Sequence, residues 1–251
     1  MRNLLFAGRL SISVWLSVFC MPGLYPAAAQ EKPVTAHVKL EKQSQPKAEK
    51  SAPSDSAGVV VWLVSGEPGA DRVSGAVPGK RPEIVQKNKS FHPHLTVVRV
   101  GWVVDFPNRD PFFHNVFSLF DGKRFDLGLY EAGATNSVRF DHPGVSFLFC
   151  NIHPEMSAVV VAVDTPYYGI SDRLGNVSIG NLPDGKYELH VWYERGVPEE
   201  LKALSRSVHI SKESRDMGTI AVAEDPAFSP AHKNKYGQDY PPPPKPGYPQ
   251  P

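Results

Sequence analysis

Short runs of β-branched and aromatic residues recur along the middle of the chain, separated by turn formers. The segments GVVVWLV (from Gly58), LTVVRVGWVVDF (from Leu95), NSVRF (from Asn136), VSFLFC (from Val145) and AVVVAV (from Ala158) are each broken off by Gly, Pro, Asn or Asp. Segments of this length and content predict strands, and their number predicts an all-β sandwich or barrel. No long amphipathic helix is predicted; Leu127–Gly133 and Pro198–Leu204 each have room for one short helical turn. After Val163 the same grammar continues in YYGISDRLGNVSIGNLPDGKYELHVWYE, with strong turn signals at 172–175 and 182–185. The strands SRSVHI and GTIAVA then close a second unit near Ala223. A module of under about 60 residues buries little surface by itself, so this unit is expected to lean on the first.

The flanks differ in composition. Residues 30–56 are rich in Lys, Glu, Gln, Pro and Ser, and their average predicts a disordered linker. Residues 224–251 end in YPPPPKPGYPQP and predict an extended, disordered tail. The first 29 residues carry Arg2 and Arg9, an apolar run from Leu10 to Tyr25 and the small-residue site Ala27-Ala28-Ala29, the pattern of a cleaved export signal. Cys20 lies within that run after the bulky Phe19, where a lipoprotein signal requires a small residue. The mature product is therefore expected to start near Gln30, without a transmembrane segment, in the periplasm or outside the cell. Loss of Arg2 and Arg9 changes the formal charge from +1 to −1, with 27 basic residues becoming 25 against 26 acidic ones. That balance gives no reason to expect a nucleic-acid partner.

Cleavage leaves Cys150 as the single cysteine, a thiol with no internal disulfide partner in a compartment that permits disulfides. It stands in FCNIHPEM, where Cys150, His153 and Met156 follow one another at intervals of three. A thiolate, imidazole and thioether form a soft-to-borderline donor set, and one thiolate with two imidazoles and a weak axial methionine is the blue-copper constellation. The second histidine must come from another strand, and His114 in NRDPFFHNVFS is the candidate. Zinc accepts Cys and His, but a thioether is a poor zinc ligand. His92 and His94 in FHPH resemble the H-x-H pairs of multicopper oxidases. Those enzymes also have a histidine pair straddling a cysteine, whereas Phe149 and Asn151 flank Cys150, so the pair is assigned to surface or packing. His142, His190 and His209 have no partners at ligand spacing.

The stretch around residues 57–165 resembles the plastocyanin and azurin family of cupredoxins. Its C-x2-H-x2-M loop with Pro154 is most similar to that of amicyanin, while FDLGLYEAG and FDHPGVSFLFCNIHPEM resemble methylamine utilisation proteins. The resemblance implies a Greek-key cupredoxin β-sandwich holding one type 1 copper ion. It makes His114, Cys150 and His153 the equatorial ligands and Met156 the axial one, with Asn115 tying the two ligand segments together. Residues 166–223 resemble a transthyretin-type, carboxypeptidase regulatory-like β-sandwich. One-electron transfer to a redox partner protein is the implied function, with His153 near the surface and Pro111, Phe112, Phe113 and Pro154 around it. The alternative is a non-redox copper carrier, or a structural or carbohydrate-binding pair of sandwiches. No open metal position, acid/base pair or activated nucleophile argues for an enzyme.

Overall fold

The computed structural model describes residues 32–42, 55–67, 79–119 and 122–241. The expected export signal, residues 30–31 and 43–54 of the expected linker and the last ten residues of the tail lie outside the described residues. Among the described residues sixteen strands run β1 (Val34–Lys42), β2 (Val60–Ser65), β3 (Val85–Lys87), β4 (Ser90–His92), β5 (Leu95–Arg99), β6 (Val103–Pro107), β7 (His114–Ser118) and β8 (Phe125–Tyr130). They continue as β9 (Thr135–Arg139), β10 (Gly144–Phe149), β11 (Ser157–Val163), β12 (Tyr168–Ile170), β13 (Asn176–Ile179), β14 (Gly185–Trp192), β15 (Arg206–Ile210) and β16 (Asp216–Glu224). One helical turn, α1 (Pro198–Ala203), forms where a turn was expected. The other candidate does not form a helix, because Leu127–Tyr130 are taken up by β8. The all-β class is as the pattern predicts, with the strands distributed over several sheets.

The sheet that carries the candidate ligands has the order β5-β11-β10-β7-β8. With the pairs β6-β9 and β3-β4 it encloses a core that includes Phe106, Val116, Phe140, Leu148 and Val160. A second core lies between the sheets β13-β1-β16 and β12-β2-β14-β15 and includes Val38, Val61, Leu63, Val177, Leu189 and Val222. A third apolar layer joins the two, contributed by Val60 of β2 and by Val97, Val159, Val161 and Val163 of β5 and β11. Strands β2 and β11 are thus apolar on both faces, and this is why their sequences run GVVVWLV and AVVVAV without alternation. In β11, Val160 and Ala162 point to one core while Val159 and Val161 point to the joining layer.

Three expected boundaries need correction. The linker expected over 30–56 contains β1, whose Val34, Ala36, Val38 and Leu40 are buried while the residues between them face solvent. This period-two alternation marks a half-buried strand, and it was diluted by the polar average of the longer segment. Strand β1 runs parallel to β16, with Val38 opposite Ile220 and Leu40 opposite Val222, and antiparallel to β13. The first module does not begin at residue 57 with β2, because β2 pairs with β12 and β14 in the other sheet system. Finally, the tail expected to be disordered from residue 224 is ordered to residue 241, and residues 232–240 pack on the outer side of β10.

Among the described residues, no helix is long and apolar enough to cross a membrane.

Candidate metal centre

Strand β7 starts at His114, and β10 ends one residue before Cys150. The two strands are antiparallel neighbours with Phe117 opposite Phe149, which brings the start of one and the end of the other to the same edge of the sandwich. The chain then turns between β10 and β11, closed by the Met156 N–H donating to the His153 carbonyl at 3.2 Å, and this turn lifts His153 over the edge.

The three side chains converge. Cys150 Sγ is 3.9 Å from His114 Nδ1 and 3.7 Å from His153 Nδ1, and the two Nδ1 atoms are 3.2 Å apart. Among the described residues this is the one group of His, Cys, Asp and Glu side chains close enough to hold an ion. A point equidistant from the three atoms lies about 2.1 Å from each, within the range of about 2.0 to 2.3 Å typical of metal–imidazole and metal–thiolate bonds. The donor set therefore fits a metal ion. Met156 is fully buried in the core cluster that also contains Cys150.

Each donor is prepared by its surroundings. The Nε2–H of buried His114 donates to Asp110 Oδ2 at 2.8 Å, which leaves Nδ1 as the lone pair that faces Cys150 and His153. Asp110 is in turn fixed by the backbone N–H groups of Asn88 and Lys89, at 2.6 and 2.9 Å. Asn88 and Lys89 form the β3–β4 turn and both have positive φ, at 54° and 53°, as a tight two-residue hairpin turn requires. Burial alone raises the Asp110 carboxyl, but the hydrogen bonds from Lys89, His114 and Asn88 outweigh it and hold the group below its ordinary range. Burial and the neighbouring His114 push the His153 imidazole down, toward the neutral form that coordinates a metal. Burial pushes the Cys150 thiol up, against backbone hydrogen bonds from Ile152, Asn115 and His153 that favour the thiolate. An ion that holds the thiolate offsets that burial cost directly.

Asn115 bridges the two ligand segments. Its Oδ1 accepts the Asn151 N–H at 3.3 Å, and its Nδ2 donates to Asp126 Oδ1 at 2.8 Å and to the Gly128 carbonyl at 2.9 Å. Phe112 lies edge-on to His114, with ring centroids 5.1 Å apart, and shields the site from the solvent side. His153 is half-buried, and Pro111, Phe113, Ile152 and Pro154 around it are exposed. His94 is occupied elsewhere: Nδ1 contacts the Ser157 carbonyl at 3.1 Å and Nε2 pairs with Glu194 at 2.6 Å. His190 stacks on Trp62 and His142 pairs with Asp141, so neither joins the centre.

Sequence reasoning missed Asp110 and the C-terminal contacts. In NRDPFF the aspartate reads as a turn residue, although the four-residue spacing to His114 was a usable signal.

No family model matches the chain, and no curated protein matches it. Among solved structures, part of the chain is similar to a copper-containing nitrite reductase from Thermus scotoductus SA-01, at 22% identity over 34% of this chain and 22% of that one, with a TM-score of 0.32. A purple cupredoxin from Nitrosopumilus maritimus aligns at 22% identity over 33% of this chain and 99% of its own, with a TM-score of 0.30. An amicyanin mutant in the Cu(I) state aligns at 20% identity over 35% of this chain and 87% of its own, with a TM-score of 0.32. The assignment of a metal centre rests on the donor triangle and not on these partial likenesses.

Proposed function

We propose that the protein is an exported type 1 copper protein that carries single electrons between redox partner proteins in the periplasm or outside the cell. The observation that carries this reading is the triangle of one buried sulfur and two imidazole Nδ1 atoms, with a buried methionine three residues after the second histidine. His114, Cys150 and His153 would hold the ion and Met156 would add a weak axial donor. Copper bound by such a set cycles between Cu(I) and Cu(II).

The residues of the chain supply the rest. Asp110 holds the His114 tautomer, and the backbone amides around Cys150 stabilise negative charge on sulfur. Both ligand segments are fixed by Asn115, which limits rearrangement on a change of charge. His153 is the ligand nearest solvent, and the exposed apolar residues Phe113, Ile152 and Pro154 beside it give a partner protein a place to dock without charge pairing. The second sandwich, whose sequence resembles a carboxypeptidase regulatory-like module, serves as a scaffold, and we assign no catalysis to either.

Addition of Cu(II) to the metal-free protein tests the reading. An intense blue or green absorption of thiolate-to-copper origin is expected. Binding without that absorption would leave a non-redox carrier, and no binding would remove the copper reading.

A further inference from the structure

We infer that the C-terminal segment 232–240 is a positioning strap for the ligand loop, holding Cys150 and Asn151 from outside the sandwich. The inference rests on the copper reading for its effect on the ion, but its structural part does not. Three contacts with different chemistry meet on three consecutive residues. The His232 ring stacks on Phe149, with centroids 4.0 Å apart and planes at 24°. Tyr240 donates its hydroxyl to the Cys150 carbonyl at 2.7 Å. The Lys235 N–H donates to Asn151 Oδ1 at 3.0 Å.

Tyr240 and His232 also hold each other, with Oη and Nδ1 3.2 Å apart. The single phenolic proton goes to the Cys150 carbonyl, which only accepts, so His232 Nδ1 carries the proton of the second bond. Lys235 closes a ring. Its Nζ meets Asp126 Oδ2 at 2.7 Å, Asp126 Oδ1 accepts from Asn115 Nδ2, Asn115 Oδ1 accepts from the Asn151 N–H, and Asn151 Oδ1 returns to the Lys235 N–H. The strap thus completes a circuit through both ligand-bearing segments, the one that follows His114 and the one that follows Cys150. A carbonyl engaged by a phenol sets the peptide plane between Cys150 and Asn151, and with it the direction of the Asn151 N–H that Asn115 Oδ1 accepts.

The test uses the full-length chain with Tyr240→Phe, Lys235→Met and, as a control, Lys212→Ala, an exposed lysine in the turn between β15 and β16. In the metal-free protein, hydrogen exchange of the Asn151 amide is expected to quicken about fivefold in the first two variants, the factor that one net hydrogen bond represents. The control is expected to match the wild type. In the copper-loaded protein the same two variants are expected to lose copper to a chelator about fivefold faster, and Tyr240→Phe to shift the thiolate-to-copper band. Unchanged exchange overturns the strap. Faster exchange with unchanged copper loss and an unchanged band overturns its positioning role, because the segment then only packs. If the wild type takes up no copper, the copper reading falls and the exchange measurement alone decides the strap.

Discussion

His114 and Asp110 are a buried pair, with Nε2 of one 2.8 Å from Oδ2 of the other and the carboxylate anchored in turn on the turn between β3 and β4. A segment remote from the donors therefore sets the orientation of one of them. Asp110→Asn substitutes an amide with a single acceptor oxygen for a carboxylate that accepts three N–H groups. Metal affinity is expected to fall about ten- to a hundredfold, read by competition with a chelator. Stability is expected to fall by about 1–3 kcal/mol as a buried donor loses its partner. Unchanged affinity would show that the carboxylate does not fix the ring.

Cys150→Ser removes the sulfur and little volume. The thiolate-to-copper absorption is expected to vanish while far-UV circular dichroism retains the β signature, since the core around Cys150 is otherwise intact. A variant with the same colour as the wild type would refute Cys150 as a ligand.

Met156→Leu is expected to be milder. Volume and burial are nearly kept, so the fold holds, copper remains bound, and the reduction potential rises as a soft donor gives way to hydrocarbon. Voltammetry reads the change; complete loss of copper would assign Met156 a role other than weak axial ligation.

His94 and Glu194 pair between the segment preceding β5 and the one following β14, and so tie the two sheet systems together. The hydrogen bond that His94 Nε2–H donates to the Glu194 carboxylate raises the His94 pKa above its ordinary value of 6.5, against a smaller effect of burial. A raised pKa means that the pair stabilises fully below about pH 6.5 and loses that contribution as pH rises through the folded-state value. The His94 side chain is half exposed, so the contribution is under about 1 kcal/mol. Glu194→Gln is expected to lower the thermal midpoint near pH 6 and to converge on the wild type at higher pH. A difference that grows with pH would contradict the pairing.

The strand content and the turn that carries Cys150, His153 and Met156 were legible because both are written locally. Runs such as VSFLFC declare strands, and Cys150, His153 and Met156 sit on one turn. His114 was legible because the remaining donor had to come from a neighbouring strand. Strand β1 was missed because VTAHVKLEK alternates within a segment whose overall composition is polar. The ownership of β2 was missed because an apolar run does not say which sheet it joins, and β2 faces two apolar layers. The order of residues 232–240 was illegible for another reason. The tail was expected to be extended and disordered from its proline content, but residues 232–240 are held to the sandwich by hydrogen bonds, an ion pair with Asp126 and a ring stacked on Phe149.

The pairing of β2 with β12 has a consequence for folding. All of β3 to β11 lies between these two strands, which are antiparallel neighbours. The sandwich that carries His114, Cys150 and His153 is thus an insertion in the other one, and its own closure brings the two insertion points together. That shortens the effective loop the outer sheets must close, a saving that grows with the logarithm of the loop length. Strand β1, by contrast, waits for β16, the last strand among the described residues. The expected order is therefore inside out: the insertion folds first on its closer contacts, and the outer sandwich zips shut last, at a rate limited by its most distant pair.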